Sequence, residues 1–227
     1  MAWAAKKLAG QLKELAAPEL EAPADKLEIV DGAVRVAGSN RLVTFAALAS
    51  RPGVAPDRLV AEDAFKPPAA TYPNGTHIAE VEIDAETGAV ALIGYWVVDD
   101  FGVTINPLLL EGQIHGGAVQ GIGQALYERT VYDETGQLLT ASLMDYALPR
   151  ADDLPQIRFE TRNIPCTTNA MGIKGAGEAG AIGSCPAVMN AVIDALDRGF
   201  GIRHLDMPAS PERVWRAIGA AKRLRQV

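Results

Sequence analysis

A glycine-rich stretch around a single carboxylate is the part of this sequence whose residue types best fit chemistry. Residues 172–186 read GIKGAGEAGAIGSCP, and Glu178 stands among glycines at 175, 177, 180 and 183. A loop with few side chains lets the backbone approach a ligand closely. A carboxylate among small and apolar residues can have a raised pKa, which suits a general base near neutral pH. A flexible connector with a solvated glutamate is the plainer alternative, and these residues alone leave it open.

The same stretch contains GAGEAG, which matches the GxGxxG pattern of dinucleotide-binding loops. That pattern requires a hydrophobic strand directly before the first glycine and an acidic residue about 20 residues further on. The preceding TTNAMGIK has too few β-branched apolar residues for a central strand, and Asp194 and Asp197 fall in a predicted helix. A stand-alone dinucleotide-binding protein is therefore the less favoured alternative. It predicts a parallel sheet with GAGEAG directly after a strand.

Composition and charge narrow the class of protein. The chain has 227 residues, of which 48% are hydrophobic and 22% charged, enough for a sizeable core. A net charge of −7 argues against nucleic acid as a partner. Cys166 and Cys185 form neither a CxxC pair nor a zinc pattern. Leu8, Leu12 and Leu15 indicate an amphipathic first helix instead of a signal peptide, and no apolar run suggests a membrane span, so we expect a cytoplasmic protein.

The predicted elements segregate into strands and helices. Turn signals predict hairpins at Asp31-Gly32 and within residues 77–100, and a third hairpin, ending in a loop, over residues 131–149. Start and stop signals predict a helix from Pro107 to Glu128, one that begins near Pro186 and ends at Gly199, and one from Pro211. These elements predict an α+β fold with a two-layer mixed or antiparallel sheet and packed helices, in one domain over residues 1–227.

The predicted helix from Pro107 carries five glycines, at positions 112, 116, 117, 121 and 123. Each glycine costs about 1 kcal/mol relative to alanine inside a helix, so this number needs a reason. Close backbone approach is the expected one, either to another helix or to a ligand.

Several ordered motifs together resemble one known family. GQIHGGAVQGIGQALYE, SLMDYALP, KGAGEAGAIGSCPAVMNAVIDAL and HLDMPASPERVW, with PNGTHIAEVEIDAETG, are similar to the C-terminal part of the molybdenum subunit in the xanthine oxidase/aldehyde oxidase family. The nearest resemblance is to bacterial aldehyde oxidase and aerobic carbon monoxide dehydrogenase large subunits. The resemblance covers nearly the whole chain. It implies a molybdenum–molybdopterin cofactor, expected in the cytosine dinucleotide form.

The resemblance also implies roles for individual residues. Glu178 takes the place of the glutamate that acts as the base beside the metal, and is the predicted catalytic residue. The predicted cofactor-binding residues are Gln113, Lys174, Gly175, Gly177, Ala181, Gly183 and Ser184. Backbone N–H groups between Ala181 and Ser184 are expected to hold cofactor oxygens, and no side chain is implied as a metal ligand. Without the resemblance, Gln113 would be an ordinary surface amide and Lys174 a solvated cation.

The implied function is that of one domain of an oxidoreductase. The family hydroxylates an aldehyde or heteroaromatic carbon, or oxidises carbon monoxide, with oxygen from water. Its molybdenum subunits are several-fold longer, so the resemblance implies a fragment or split subunit that needs the missing N-terminal part. It also implies FAD and [2Fe-2S] clusters on partner subunits and a small-molecule substrate. A non-catalytic cofactor-docking or assembly module with the same fold is the other reading.

Overall fold

The computed structural model describes residues 2–224 and divides the chain into two compact units, Met1–Pro67 and Pro68–Val227. The boundary falls in the proline-containing loop at Lys66-Pro67-Pro68. No boundary was predicted there from the sequence, because a short proline-rich loop has the same composition within a domain as between two units.

The first unit is a helix packed on a small antiparallel sheet. Its helices are α1 (Ala2–Leu20) and α2 (Phe45–Ala49), and its strands are β1 (Leu27–Val30), β2 (Ala33–Val36) and β3 (Leu42–Thr44). The predicted hairpin turns at Asp31-Gly32, where both residues have a positive φ. Leu12 is buried, as the amphipathic pattern predicted, in a core with Val34 and Leu48.

The second unit packs long helices on one three-stranded sheet. Its helices are α3 (Pro107–Leu126), α4 (Ala179–Phe200) and α5 (Pro211–Leu224), and its strands are β4 (Asn74–Ile83), β5 (Val90–Asp100) and β6 (Ile157–Thr161). The central strand β5 pairs antiparallel with β4 and parallel with β6, so the sheet is mixed. The predicted α+β class is confirmed. Tyr95 and Val97 of β5 lie almost fully buried in the core beneath the helices.

The hairpin predicted over residues 131–149 forms only in a short version at residues 131–139, where the Leu139 N–H donates to the Val131 carbonyl oxygen at 2.8 Å and the Asp133 N–H to the Gln137 carbonyl oxygen at 3.0 Å. A single β-bridge joins Tyr132 to Leu138. Asp133 Oδ1 accepts hydrogen bonds from the backbone N–H groups of Thr135 and Gln137, at 2.8 and 2.9 Å. The remainder of the segment is irregular and partly exposed, with Met144 at the surface. A longer hairpin without a buried face would have too little to stabilise it.

Helix α3 begins as predicted. Asn106 caps it, because its side chain accepts a hydrogen bond from the Leu109 N–H at 3.2 Å. Pro107 follows at the first helical position, where its missing N–H leaves no helical bond unmade. The helix ends at Leu126 instead of at the predicted Glu128.

Glycines of α3 bring it against α4 with almost no side chain between the two backbones. A Cβ on Gly117 would lie 3.1 Å from the Gly180 Cα, and a Cβ on Gly121 would overlap Ser184 Oγ. From the other side, a Cβ on Gly180 would lie 2.6 Å from the Ala118 nitrogen and 2.7 Å from the Ile114 oxygen. Close approach to another helix, one of the two expected reasons for the glycines, is thus confirmed at Gly117 and Gly121. Nothing lies within 4 Å of a Cβ on Gly112 or Gly116.

Helix α4 begins at Ala179, so the predicted start near Pro186 is wrong. Pro186 lies inside the helix, although a proline there removes one backbone hydrogen bond. Packing against α3 compensates, because Gly180 and Ser184 are both buried at that contact. The helix also continues past Gly199 and ends at Phe200, followed by Gly201, whose φ of 74° is the left-handed cap that glycine favours.

One helix in the described part of the chain, α4, is long and apolar enough to cross a membrane by length and composition. No apolar run of membrane-spanning length was expected from the sequence, and α4 departs from that expectation. Val188, Val192 and Leu196 of α4 are fully buried in the core of the second unit. The packing of a core helix accounts for this composition.

A buried ion pair fixes the loop that leads to α4. Lys174 Nζ donates to Asp100 Oδ2 at 2.6 Å, and both side chains are nearly buried. Asp100 Oδ1 also accepts hydrogen bonds from the backbone N–H groups of Gly102 and Ile164. Burial alone would raise the pKa of Asp100, but the bonds from Lys174 and the two N–H groups outweigh it and hold that pKa below 3.8.

The Gly180→Ala variant should lower the free energy of unfolding by about 1–3 kcal/mol, because the added methyl group would meet only backbone atoms of α3. Gly116→Ala is the matched control. It adds a methyl group into open space on the same helix pair and should stabilise the chain by up to ~1 kcal/mol. Urea denaturation of the two variants measures both effects, and an unchanged stability for Gly180→Ala would contradict the close contact.

The Lys174→Met variant should lose about 3 kcal/mol of stability at neutral pH, because it leaves the Asp100 carboxylate buried without its cation. A carboxyl whose folded pKa is depressed stabilises the fold above its unfolded pKa, and that contribution is lost as the pH falls through the folded pKa. The difference between wild type and variant should therefore shrink below pH 3.8. Denaturation with urea from pH 7 to pH 3 measures it.

Arg162→Met is the control for the ion pair. It breaks the pair of Arg162 with Glu160, whose side chains are 79% and 67% exposed, and should cost less than ~1 kcal/mol. Equal losses for Arg162→Met and Lys174→Met would show that the buried pair has no special weight.

Candidate functional site

The second unit contains an open cleft of about 490 Å³. Four segments form its walls: the start of β4, the end of β5, the loop before α4 and the first turns of α4. The lining residues are Pro73, Asn74, Gly75, His77, Asp99, Gly175, Gly177, Glu178, Ala179, Ile182 and Gly183. Four of the predicted site residues, Gly175, Gly177, Glu178 and Gly183, thus lie around one cavity.

Glu178 is the residue directly before α4. It occupies the N-cap position, but its side chain makes no capping hydrogen bond. Its carboxylate is therefore not committed to the helix and is able to face the cleft that it lines. The side chain is exposed, so the described residues of this chain do not exclude water from it. The dry surroundings expected from the sequence are not provided by these residues alone.

Gln113 of α3 contacts the loop that carries Glu178. Its Nε2 donates a hydrogen bond to the Gly177 carbonyl oxygen at 2.8 Å. This bond spans 64 positions of sequence and fixes the residue next to Glu178 relative to α3. The structure therefore brings two predicted site residues together, and the proposed contact between Gln113 and the cofactor stays a prediction.

The first residues of α4 have backbone donors without a partner in the helix, and of residues 179–181 only Ala179 lines the cleft. The first bond of the helix runs from the Ile182 N–H to the Glu178 carbonyl oxygen, at 3.0 Å. The N–H groups of residues 179–181 precede it and have no partner within the helix. Among the predicted donors, only Ala181 belongs to this group. Because α4 begins earlier than predicted, Gly183 and Ser184 already donate within the helix.

Ser184 and Gly183 do not serve as free backbone donors, and each has a different place in the structure. Ser184 is buried between the helices, and its Oγ donates to the Ala181 carbonyl oxygen at 3.3 Å. Gly183 faces His77, and a Cβ there would lie 2.5 Å from the imidazole ring. The absence of a side chain at Gly183 is what makes room for that ring.

Lys174 does not line the cleft, because its ammonium group is held by Asp100. Gly175 follows it, and its N–H donates to Thr71 Oγ1 at 3.4 Å. A Cβ on Gly175 or Gly177 would meet nothing within 4 Å, so this wall of the cleft is bare backbone. Lys174 thus positions the loop, while the two glycines leave space beside Glu178.

The stretch before GAGEAG is not a strand. Its only pairing among the described residues is a single bridge between Ile173 and Gly102, and the sheet of this unit is mixed. The dinucleotide-binding alternative required a parallel sheet and a strand directly before Gly175. Neither condition is met.

A buried polar cluster that was not predicted from the sequence lies on the far side of the cleft. His77 Nδ1 lies 2.7 Å from the Tyr95 hydroxyl, and His77 Nε2 lies 3.6 Å from Asp99 Oδ2. Burial raises the pKa of Tyr95, a hydrogen bond with Ser184 opposes this in part, and the neighbouring charge of Asp99 adds a smaller upward effect. Strand alternation was the available signal, because His77 shares the inward face of β4 with Ala79 and Val81.

Comparison with known proteins identifies a family. The family model of the molybdopterin cofactor-binding domain matches residues 1–155, a range that ends before Glu178. The gamma subunit of the 6-hydroxypseudooxynicotine dehydrogenase complex of Paenarthrobacter nicotinovorans is 35% identical over 217 residues, which are 89% of this chain and 26% of the relative. The carbon monoxide dehydrogenase large chain of Hydrogenophaga pseudoflava is 34% identical over 96% of this chain and 28% of its own length.

A solved structure agrees with these relatives. Quinoline 2-oxidoreductase from Pseudomonas putida 86 is 38% identical, with a TM-score of 0.80 over 95% of this chain and 28% of that one. The chain spans about a quarter of the length of the relatives that it matches. The resemblance to the molybdenum subunits of the xanthine oxidase/aldehyde oxidase family is confirmed, and the chain belongs to the family of molybdopterin cofactor-binding domains.

Proposed function

We propose that this chain forms one wall of the active site of a molybdenum hydroxylase and that Glu178 is its general base. The intact enzyme would hydroxylate an aldehyde or heteroaromatic carbon, or oxidise carbon monoxide, with oxygen from water. One observation carries the proposal: the uncommitted carboxylate of Glu178 stands at the start of α4, in a cleft whose neighbouring wall is bare glycine backbone.

The residues of the cleft fit a large anionic cofactor. The N–H groups of residues 179–181 lie at the positive end of the α4 dipole and suit phosphate or similar oxygens. Gly175 and Gly177 leave open space beside them. On the other side, the buried Asp99 Oδ2 has no hydrogen-bond partner in the described part of the chain. A molybdopterin cofactor combines anionic oxygens with N–H donors, so both sides of the cleft have groups to receive it.

The chain's own residues would act by holding the cofactor and by accepting a proton. When bound, the cofactor supplies the redox centre that takes up two electrons from the substrate. Glu178 takes up the proton released as water-derived oxygen is transferred. A carboxyl group suits this role because its ionised form accepts a proton. Gln113 keeps the adjacent Gly177 in place through its hydrogen bond. The N–H groups at the start of α4 bind and orient anionic oxygens.

The remaining parts of the proposal concern the larger assembly. The relatives are about four times as long as this chain. The proposal is therefore that the N-terminal part of a molybdenum subunit completes the cleft and excludes water from Glu178. FAD and [2Fe-2S] partner subunits, the cytosine dinucleotide form of the cofactor and a cytoplasmic location belong to the same proposal.

The Glu178→Gln variant should lower turnover by at least ~10²-fold, because glutamine keeps the size of the side chain but does not accept a proton. The variant is to be made in the intact subunit and purified from its own host, with turnover and molybdenum per chain measured together. Molybdenum should stay at the wild-type level, since Glu178 makes no hydrogen bond that caps α4.

Glu82→Gln is the control, because Glu82 is an exposed carboxylate on β4 outside the cleft. It should leave turnover unchanged. Near-normal turnover of Glu178→Gln would sink the assigned role and would favour a non-catalytic docking or assembly module.

A further inference from the structure

The cleft contains a buried carboxylate that the proposed mechanism does not use. The Asp99 side chain is only 4% exposed, and it lines the same cavity as Glu178. Its Oδ2 has no hydrogen-bond partner among the residues that the structure describes. An acceptor that is buried without a partner loses its hydration and gains nothing in return, which destabilises the fold. A group retained at such a cost points to a partner that is bound from outside the chain.

The adjacent residue gives an internal comparison. Asp100 is buried to a similar degree, and it has a lysine and two backbone N–H groups as partners. Asp100 points away from the cleft, whereas Asp99 lines it. Consecutive strand residues face opposite sides, so two neighbouring carboxylates reach different surroundings. The chain therefore satisfies the carboxylate outside the cleft and leaves the one inside it with free acceptor capacity.

The imidazole of His77 fixes the position of Asp99 without satisfying it. If the Tyr95 hydroxyl donates to His77 Nδ1 across 2.7 Å, the ring proton lies on Nε2, which faces the carboxylate. This tautomer avoids placing a lone pair against a negative charge. At 3.6 Å the Nε2–H is too far from Asp99 Oδ2 for a good hydrogen bond. The pair is attracted electrostatically, and the acceptor stays available.

Glycines on both sides leave space for this pair. A Cβ on Gly75 would overlap Asp99 Oδ1, and a Cβ on Gly183 would lie 2.5 Å from the His77 ring. Gly75 belongs to β4 and Gly183 to the first turns of α4. Two separate elements thus omit a side chain where the pair stands, and this arrangement is that of a built site.

We propose that Asp99 is a cofactor-binding residue that accepts a hydrogen bond from an N–H group on one of the cofactor's nitrogen heterocycles. His77 and Tyr95 are its positioning residues. The inference rests on the proposed function, since it takes the occupant of the cleft to be the molybdopterin cofactor. The two ends of the cleft then divide the recognition, with N–H donors of α4 for anionic oxygens and Asp99 for a donor group.

The test compares cofactor retention in two variants of the intact subunit, purified with its partners from its own host. Asp99→Leu keeps the branched shape and removes both acceptor oxygens, whereas Asp99→Asn keeps one oxygen and removes the charge. We expect molybdenum to dissociate at least ~10-fold faster from Asp99→Leu than from wild type, with Asp99→Asn between them. Molybdenum and released nucleotide are measured over time after dilution, so the readout does not depend on turnover. Glu82→Leu is the control and should release molybdenum at the wild-type rate.

The outcomes separate this inference from the proposed function. Wild-type rates in both Asp99 variants would overturn the role of Asp99 and leave the proposed function standing. A wild-type subunit that carries no molybdenum would overturn both. If Asp99→Leu melts well below wild type, Asp99→Asn decides, and a wild-type rate in it overturns the inference. Repeating the measurement with cofactor that lacks its nucleotide locates the donor: a persisting difference assigns it to the pterin, and a vanished one to the nucleobase.

Discussion

The contact between α3 and α4 is made almost without side chains, and the position of Glu178 in the cleft follows from it. Backbone atoms on both helices prevent a closer approach. Because Gly117, Gly121 and Gly180 have no side chains, nothing at these positions holds the two helices further apart. The start of α4 is therefore held at a fixed distance from α3. Glu178 is the residue before that start, and Gln113 ties its neighbour Gly177 back to α3. The geometry of the carboxylate is thus set by core packing, although Glu178 itself stands in a loop at the surface.

Buried charge has two different consequences at the end of β5. Asp100 is fully hydrogen-bonded and contributes to folding, because its partners compensate for the lost hydration. Asp99 belongs to the same strand but faces a cavity, and the histidine beside it is too distant to compensate. The unpaired acceptor of Asp99 destabilises the fold, and a bound molecule that donates a hydrogen bond to it would remove this destabilisation. Of two consecutive buried carboxylates, Asp100 therefore serves stability, whereas Asp99 serves binding at the expense of stability.

The sequence predicted the elements better than it predicted their ends and contacts. Asn106 and Pro107 are local signals, so the start of α3 was correctly placed. Pro186 was taken as a start signal by the same local logic, and it failed because burial of Gly180 against α3 is a long-range effect. His77 and Asp99 stayed unnoticed for a related reason. They are far apart in sequence, and only the pairing of β4 with β5 and the packing of α4 bring them beside Glu178.

Gly180 lies two positions beyond Glu178, and its backbone is in contact with α3. The separation of α3 and α4 depends on the absence of a side chain at Gly180. No substitution there preserves it, because every other residue adds atoms to the contact. Diversification of the cleft among descendants of this chain is therefore confined to positions that point into the cavity from outside the helix contact. Ile182 is one of these, since it lines the cleft with its side chain 68% exposed. Substitutions at Ile182 therefore change which molecules fit the cavity. They do so one helical turn from Glu178, whose position is fixed by the helix contact.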